Sequence, residues 1–197
     1  AVDKAEALSV IEKTCREKGA KLYLLGRDIW IEKAQGIDES AISQRNLCQP
    51  MQTGSQGNLK GGNTEGGKMI NTGAPHAPFS IPPKRGLLCK IKTWRHTYDN
   101  VFLPLVGAHQ AKNCALVLGV LEILKEQGQI SVSDEIIHKA MGRVQCPARV
   151  ELVGRNPFII LDYAHTVDSM RSLKNALLEN FTFNKLILIL GFSQDKD

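Results

Sequence analysis

Apolar positions recur at helical spacing from the start of the chain. Across residues 3–18, Ala5, Leu8, Ile11 and Cys15 fall on one face of a segment rich in Glu and Lys. That pattern predicts an amphipathic surface helix stopped by Gly19. The apolar run Lys21 to Leu25, closed by Gly26, and the Ile-Trp-Ile centre of Asp28 to Glu32 then read as two short strands.

From about Ala34 to Pro83 the texture changes. Gly, Asn, Thr and Gln crowd the part between Met51 and Gly73, and prolines stand at 75, 78, 82 and 83. Loops longer than ~12–15 residues are uncommon in compact domains, so this stretch is expected to be a mobile insertion, with a functional lid as the alternative. Period-two alternation resumes over Leu87 to Trp94, with Leu87, Cys89 and Ile91 set against Leu88, Lys90 and Lys92. A second strand-like run at Val101 to Val106 suggests an antiparallel pair.

The strongest helical pattern runs from about Ala108 to Gln127. Ala115, Leu118, Val120, Leu121 and Leu124 are expected to form a broad buried face before Gly128. Ser133, followed by Asp134 and Glu135, is a helix N-cap with acidic first-turn residues, and that helix should reach Gly142. After a break at Cys146 and Pro147 the order becomes strand, strand, helix, strand: Val150 to Val153, Phe158 to Leu161, Val167 to Asn180 and Leu186 to Leu190. This order predicts an α/β fold and the opening of a nucleotide-type α/β domain. A doubly wound sheet normally continues past such an opening, so the sequence is expected to be a piece of a longer chain.

Composition narrows the class. The hydrophobic fraction of 43% and charged fraction of 23% are those of a packed globular protein. No apolar run approaches the ~20 residues of a membrane span, and no secretory pattern opens the chain, so a cytoplasmic protein without a membrane partner is expected. The five cysteines (Cys15, Cys48, Cys89, Cys114 and Cys146) contain no C-x-x-C pair and read as reduced, mostly buried thiols. A net charge of +5 favours an anionic partner. No nucleic-acid-binding motif accompanies the charge, so that partner is expected to be a small molecule.

Three places could carry chemistry. His109, Gln110 and Asn113 stand near the first turn of the long helix, where backbone amides and an asparagine side chain can meet a polar ligand edge; plain capping is the simpler reading. Arg149 follows the Cys-Pro break and opens a strand, where its guanidinium could reach phosphate or purine, or simply be solvated. Asp162, Tyr163, His165 and Thr166 lie in the loop between a strand and a helix, the place where open α/β sheets bind ligands. A capping role would suffice for His165 alone.

Taken in order, Gly107-Ala108-His109-Gln110 with Asn113, Pro147-Ala148-Arg149-Val150-Glu151, Leu161-Asp162-Tyr163-Ala164-His165-Thr166 and Asp195-Lys196-Asp197 resemble the folylpolyglutamate synthase/dihydrofolate synthase family of the Mur ligase superfamily. The resemblance implies a ligase in which ATP phosphorylates a carboxylate and the amino group of L-glutamate attacks the acyl phosphate, with dihydropteroate or folates as acceptors and Mg2+ as cofactor. It implies that ATP is held by Asn113 at the adenine, Asp162 at the ribose, and Arg149 and His165 on the phosphate side. It implies neither catalytic nor metal-binding residues within this sequence, and it implies a monomeric enzyme. Residues 1–146 are expected to be the C-terminal part of the central ATP-binding domain, with the insertion near 34–83, and residues 147–197 the start of a Rossmann-like C-terminal domain.

Two departures bear on substrate. Ala148 replaces the family's glycine before the arginine, and Asp162 to Thr166 is closer to the cell-wall Mur ligases. A muramoyl-peptide ligase is therefore an alternative, and a non-catalytic binding protein on the same scaffold is another. The phosphate loop itself is missing. Gly62 to Lys68 has the Gly-x-x-x-x-Gly-Lys spacing, but Met69 stands where a hydroxyl is needed to hold magnesium. This sequence alone is therefore expected not to turn over.

Overall fold

The structure is a computed structural model, and it describes residues 5–38 and 86–191. The expected insertion lies largely outside the described residues, as do Cys48, the Gly62 to Lys68 run and Asp195 to Asp197.

Helix α1, Ala5–Glu17, forms as its spacing predicts. It ends where Gly19 takes a positive φ of 64° and the Ala20 amide bonds back to the Cys15 carbonyl. Leu8, Ile11 and Cys15 are half-buried, while Val10 is exposed. The strand expected over Lys21 to Leu25 does not form. Asp28 accepts the Leu24 amide at 2.8 Å, Gly26 turns at φ 91°, and only Leu25 makes a single bridge, to Ile29. A self-bonded turn has satisfied the backbone groups that a strand would have offered to a neighbour.

Strands β1 (Trp30–Ile37), β2 (Gly86–Lys92) and β3 (Thr97–Leu103) form an antiparallel sheet in that order. β1 begins two residues after the expected start and runs five residues beyond the expected end at Glu32. Period-two alternation puts Leu87, Cys89 and Ile91 into the core, with Ile91 opposite Tyr98 and Cys89 opposite Val101. On the other face Lys90 lies 3.3 Å from both Glu32 of β1 and Asp99 of β3, one cation spanning the three strands.

Helix α2, His109–Glu126, covers the sheet with Ala111, Cys114, Ala115 and Leu118. Val120, expected in that face, is 54% exposed. At about 100° per residue it lies roughly 200° around the helix from Leu118, on the opposite side. Helix α3, Asp134–Met141, is capped by Ser133, whose hydroxyl accepts the Ile136 amide, and closes the core with Ile137 and Met141. Cys89 and Cys114 are buried, Cys15 is half-buried and Cys146 exposed, so the expected burial of the thiols holds for only part of the set.

A second hydrophobic cluster gathers Val150, Ala176, Leu177 and Phe181, joined by Val106, Leu152, Ile160, Leu173 and Phe183. It is built from the hairpin of β4 (Glu151–Arg155) and β5 (Phe158–Leu161) and from helix α4 (Val167–Asn180). The last expected strand is absent: Leu186 to Leu190 forms no ladder, and Ile187 and Ile189 are 75% and 91% exposed. A β-strand exists only through pairing, and among the described residues neither sheet extends to this segment.

Candidate functional site

Three pieces of chain meet where β3 gives way to α2. The first is the start of α2. Gly107 is buried with φ 103°, and a Cβ built on it would lie 2.7 Å from His109 Cε1 and 3.0 Å from the Ala176 Cβ. Glycine thus satisfies two requirements, the left-handed backbone and the close approach of helices α2 and α4. Ala108 occupies the N-cap without a side-chain bond, and the Gln110 and Ala111 amides bond to the Gly107 and Ala108 carbonyls. Those two first-turn donors are therefore used internally.

The side chains of this turn form a chain of hydrogen bonds. Asn113 Nδ2 donates to Gln110 Oε1 at 3.0 Å, and Gln110 Nε2 lies 3.0 Å from His109 Nε2. Gln110 is buried, whereas Asn113 is exposed. The amide of Asn113 retains the capacity for another donated bond and for accepted ones. Burial lowers the pKa of the half-buried His109; the Asp162 carboxylate pulls it back up, and the Arg149 guanidinium lowers it again. Neutral imidazole accepting at Nε2 from the Gln110 amide fits that direction.

The second piece is the turn 147–150. Ala148 and Val150 both adopt positive φ, 54° and 50°, on either side of Arg149. Left-handed geometry is uncommon for alanine and an outlier for a β-branched residue. Hydrogen bonds secure it. The Ala148 amide donates to Glu151 Oε2 at 2.8 Å, the Val150 amide to Asp162 Oδ2 at 2.8 Å, and the Tyr163 amide to the Ala148 carbonyl at 2.9 Å. Val150 is buried in the second cluster and Arg149 is exposed.

The third piece is the loop from β5 into α4. Asp162 Oδ1 accepts the Ala164 amide at 2.8 Å, so both carboxylate oxygens are engaged by backbone. His165 is exposed, with Nδ1 3.0 Å from the Tyr163 carbonyl and its ring tilted against Tyr163 at 5.2 Å. Thr166 caps α4 in a reciprocal box with Ser169, whose hydroxyl also accepts the His165 amide.

Of the four residues expected to hold ATP, the structure brings Arg149 and Asp162 into one electrostatic environment around His109, and it links Asn113 to that histidine through Gln110. His165 lies on the same loop as Asp162. Glu151 and Ser169 were not singled out from the sequence. Thr-x-x-Ser over residues 166–169 resembles a capping box and could have revealed Ser169. No local signal marks Glu151 as the acceptor for Ala148.

Among the described residues no three His, Cys, Asp or Glu side chains group to hold a metal, and no helix is long and apolar enough to cross a membrane.

A family model described as "Mur ligase, glutamate ligase domain" matches residues 148–197. Over 105 residues the chain is 28% identical to a dihydrofolate synthase/folylpolyglutamate synthase of Bacillus subtilis; the match takes in 53% of this chain and 24% of that protein. It is 29% identical over 93 residues to a UDP-N-acetylmuramoyl-L-alanyl-D-glutamate–2,6-diaminopimelate ligase of Helicobacter hepaticus, taking in 47% of this chain and 18% of that protein. Its fold is similar to that of Mycobacterium tuberculosis folylpolyglutamate synthase complexed with ADP, with a TM-score of 0.63 at 16% identity over 91% of this chain and 29% of that one. The chain thus spans about a quarter of the length of the Bacillus subtilis enzyme it matches. Over the matched residues its sequence is similar to folylpolyglutamate synthase/dihydrofolate synthases and to the Mur ligase glutamate ligase domain, and its mixed α/β fold is similar to that of a folylpolyglutamate synthase.

Proposed function

We propose that this chain supplies the nucleotide side of an ATP-dependent ligase that joins L-glutamate to dihydropteroate or folates. The observation that carries the reading is the 2.8 Å bond from the Val150 amide to Asp162, which holds the turn of Arg149 against the loop of Asp162 and His165, in a chain whose relatives are such ligases. Asn113, Arg149, Asp162 and His165 form the nucleotide-binding set. An exposed guanidinium suits phosphate oxygens and the Asn113 amide suits a purine edge, so the residue types fit a nucleotide. ATP provides the phosphoryl group that activates the acceptor carboxylate; glutamate nitrogen then displaces phosphate to give the amide. These residues bind and orient ATP, and no metal ligand or phosphate loop is assigned to them. Residues up to 146 belong on this reading to the central ATP-binding domain, and those from 147 onward to the Rossmann-like C-terminal domain.

The Asp162 to Thr166 run and the diaminopimelate ligase similarity favour a second reading, a muramoyl-peptide ligase. Titration of the 15N-labelled chain with ADP tests the nucleotide reading. Shifts centred on His109, Asn113, Arg149 and His165 support it, whereas no shifts, or shifts confined to other surfaces, refute it. Competition of a folate against a UDP-muramoyl peptide for the ADP-bound protein separates the two acceptor classes.

A further inference from the structure

The turn 148–150 presents its arginine in a conformation that the sequence does not favour. Ala148 and Val150 are both left-handed, and neither is glycine. Such a turn persists only where its surroundings over-determine it. The surroundings here are the burial of Val150 and three hydrogen bonds, of which the Asp162 carboxylate provides the one at the far side of Arg149. The other Asp162 oxygen holds Ala164, so a single side chain ties the arginine turn to the loop that carries His165. Among the described residues no ion pair engages the Arg149 guanidinium, which is exposed.

We propose that Asp162 is a positioning residue: by accepting the Val150 and Ala164 amides it keeps the left-handed turn around Arg149 formed and aims that guanidinium at the nucleotide. The inference rests on the nucleotide reading for the target of Arg149 and refines the role of Asp162, whose expected contact with ribose becomes secondary. Asparagine cannot reproduce the clamp. One arm of its amide accepts, but the other presents N–H to a backbone N–H. Glycine at 148 removes part of the cost of the turn and should make the clamp less necessary.

The test measures ADP affinity and amide hydrogen exchange in the full 197-residue chain and its variants Asp162→Asn, Ala148→Gly and the double variant. Asp162→Asn is expected to expose the Val150 and Ala164 amides to exchange and to weaken ADP by about tenfold. Adding Ala148→Gly should recover about threefold of that loss. A 2′,3′-dideoxy ADP probe should lose the same factor against wild type and against Asp162→Asn. Weakened ADP with unchanged exchange, or a dideoxy penalty present in wild type and gone in Asp162→Asn, overturns the proposal in favour of direct ribose contact.

If Asp162→Asn does not fold, acid titration of the wild-type protein without nucleotide decides. Val150 and Ala164 amide shifts and the Arg149 Nε–H shift should share the midpoint of the Asp162 carboxyl carbon, and an Arg149 midpoint that instead follows His109 or Glu151 overturns the proposal. A wild-type chain that binds no ADP refutes the nucleotide reading, while the same titration still decides whether Asp162 holds Arg149.

Discussion

The amide of Val150 donates to the carboxylate of Asp162 at 2.8 Å, across twelve positions of sequence, and holds a buried β-branched residue at φ 50°. The bond joins the turn that carries Arg149 to the loop that carries His165. Two clusters that look independent along the chain are thereby one structural unit.

Because Ala148 stands at φ 54°, replacing it with glycine should stabilise the fold. A left-handed alanine costs on the order of 1–2 kcal/mol, part of which is returned by the greater freedom of glycine in the unfolded chain. Ala148→Gly is therefore expected to gain about 0.5–1 kcal/mol. Urea unfolding should show a higher midpoint at constant slope, and a lower midpoint would contradict the left-handed turn.

Tyr98, fully buried on β3, hydrogen-bonds through its hydroxyl to Glu122, itself buried on α2, and Lys125 Nζ approaches the same hydroxyl at 3.4 Å. Burial, then the bond to Glu122, pushes the phenol above its ordinary pKa, so it remains a donor. Tyr98→Phe removes the donor and leaves a buried carboxylate short of a partner, at a cost of about 1.5–3 kcal/mol. Equilibrium unfolding of the variant measures this; a loss within error of zero would mean that water or Lys125 takes over the bond.

His109 should make stability fall in mild acid. Its folded pKa lies below the ordinary value near 6.5, chiefly because of burial, so the unfolded chain binds the proton more readily. The contribution is complete above the unfolded pKa and is lost as pH falls from there through the folded one. Unfolding midpoints of wild type and His109→Gln, compared between about pH 7.5 and 5, should show a smaller decline in the variant. Equal declines would assign the pH dependence to other groups.

The thiols should separate by reactivity. Desolvation raises Cys89 to about 11 and Cys114 to about 12, and both are buried, whereas Cys146 is exposed. Thiolate is the reactive form. Brief iodoacetamide treatment of the native protein near pH 8 is expected to modify Cys146 and spare Cys89 and Cys114 until denaturant is added. Peptide mass spectrometry reads the outcome, and native labelling of Cys114 would show that the face of α2 on the sheet opens readily.

Periodicity and caps determined much of this protein locally. The spacing of Leu87, Cys89 and Ile91 established β2 and its buried face, and Ser133 with Asp134 and Glu135 established the start of α3, because both signals depend on neighbours within one strand or one helical turn. The order of the Asn113, Arg149 and Asp162 motifs carried the family resemblance. What depends on partners distant in sequence was decided by the tertiary structure. Leu186 to Leu190 has strand composition but no ladder among the described residues, because no partner strand reaches it. The positive φ of Ala148 and Val150 belongs to the same class, since neither residue type asks for that geometry. It exists because Asp162 and the Tyr163 amide, which only the folded chain brings there, fix the turn together with the neighbouring Glu151.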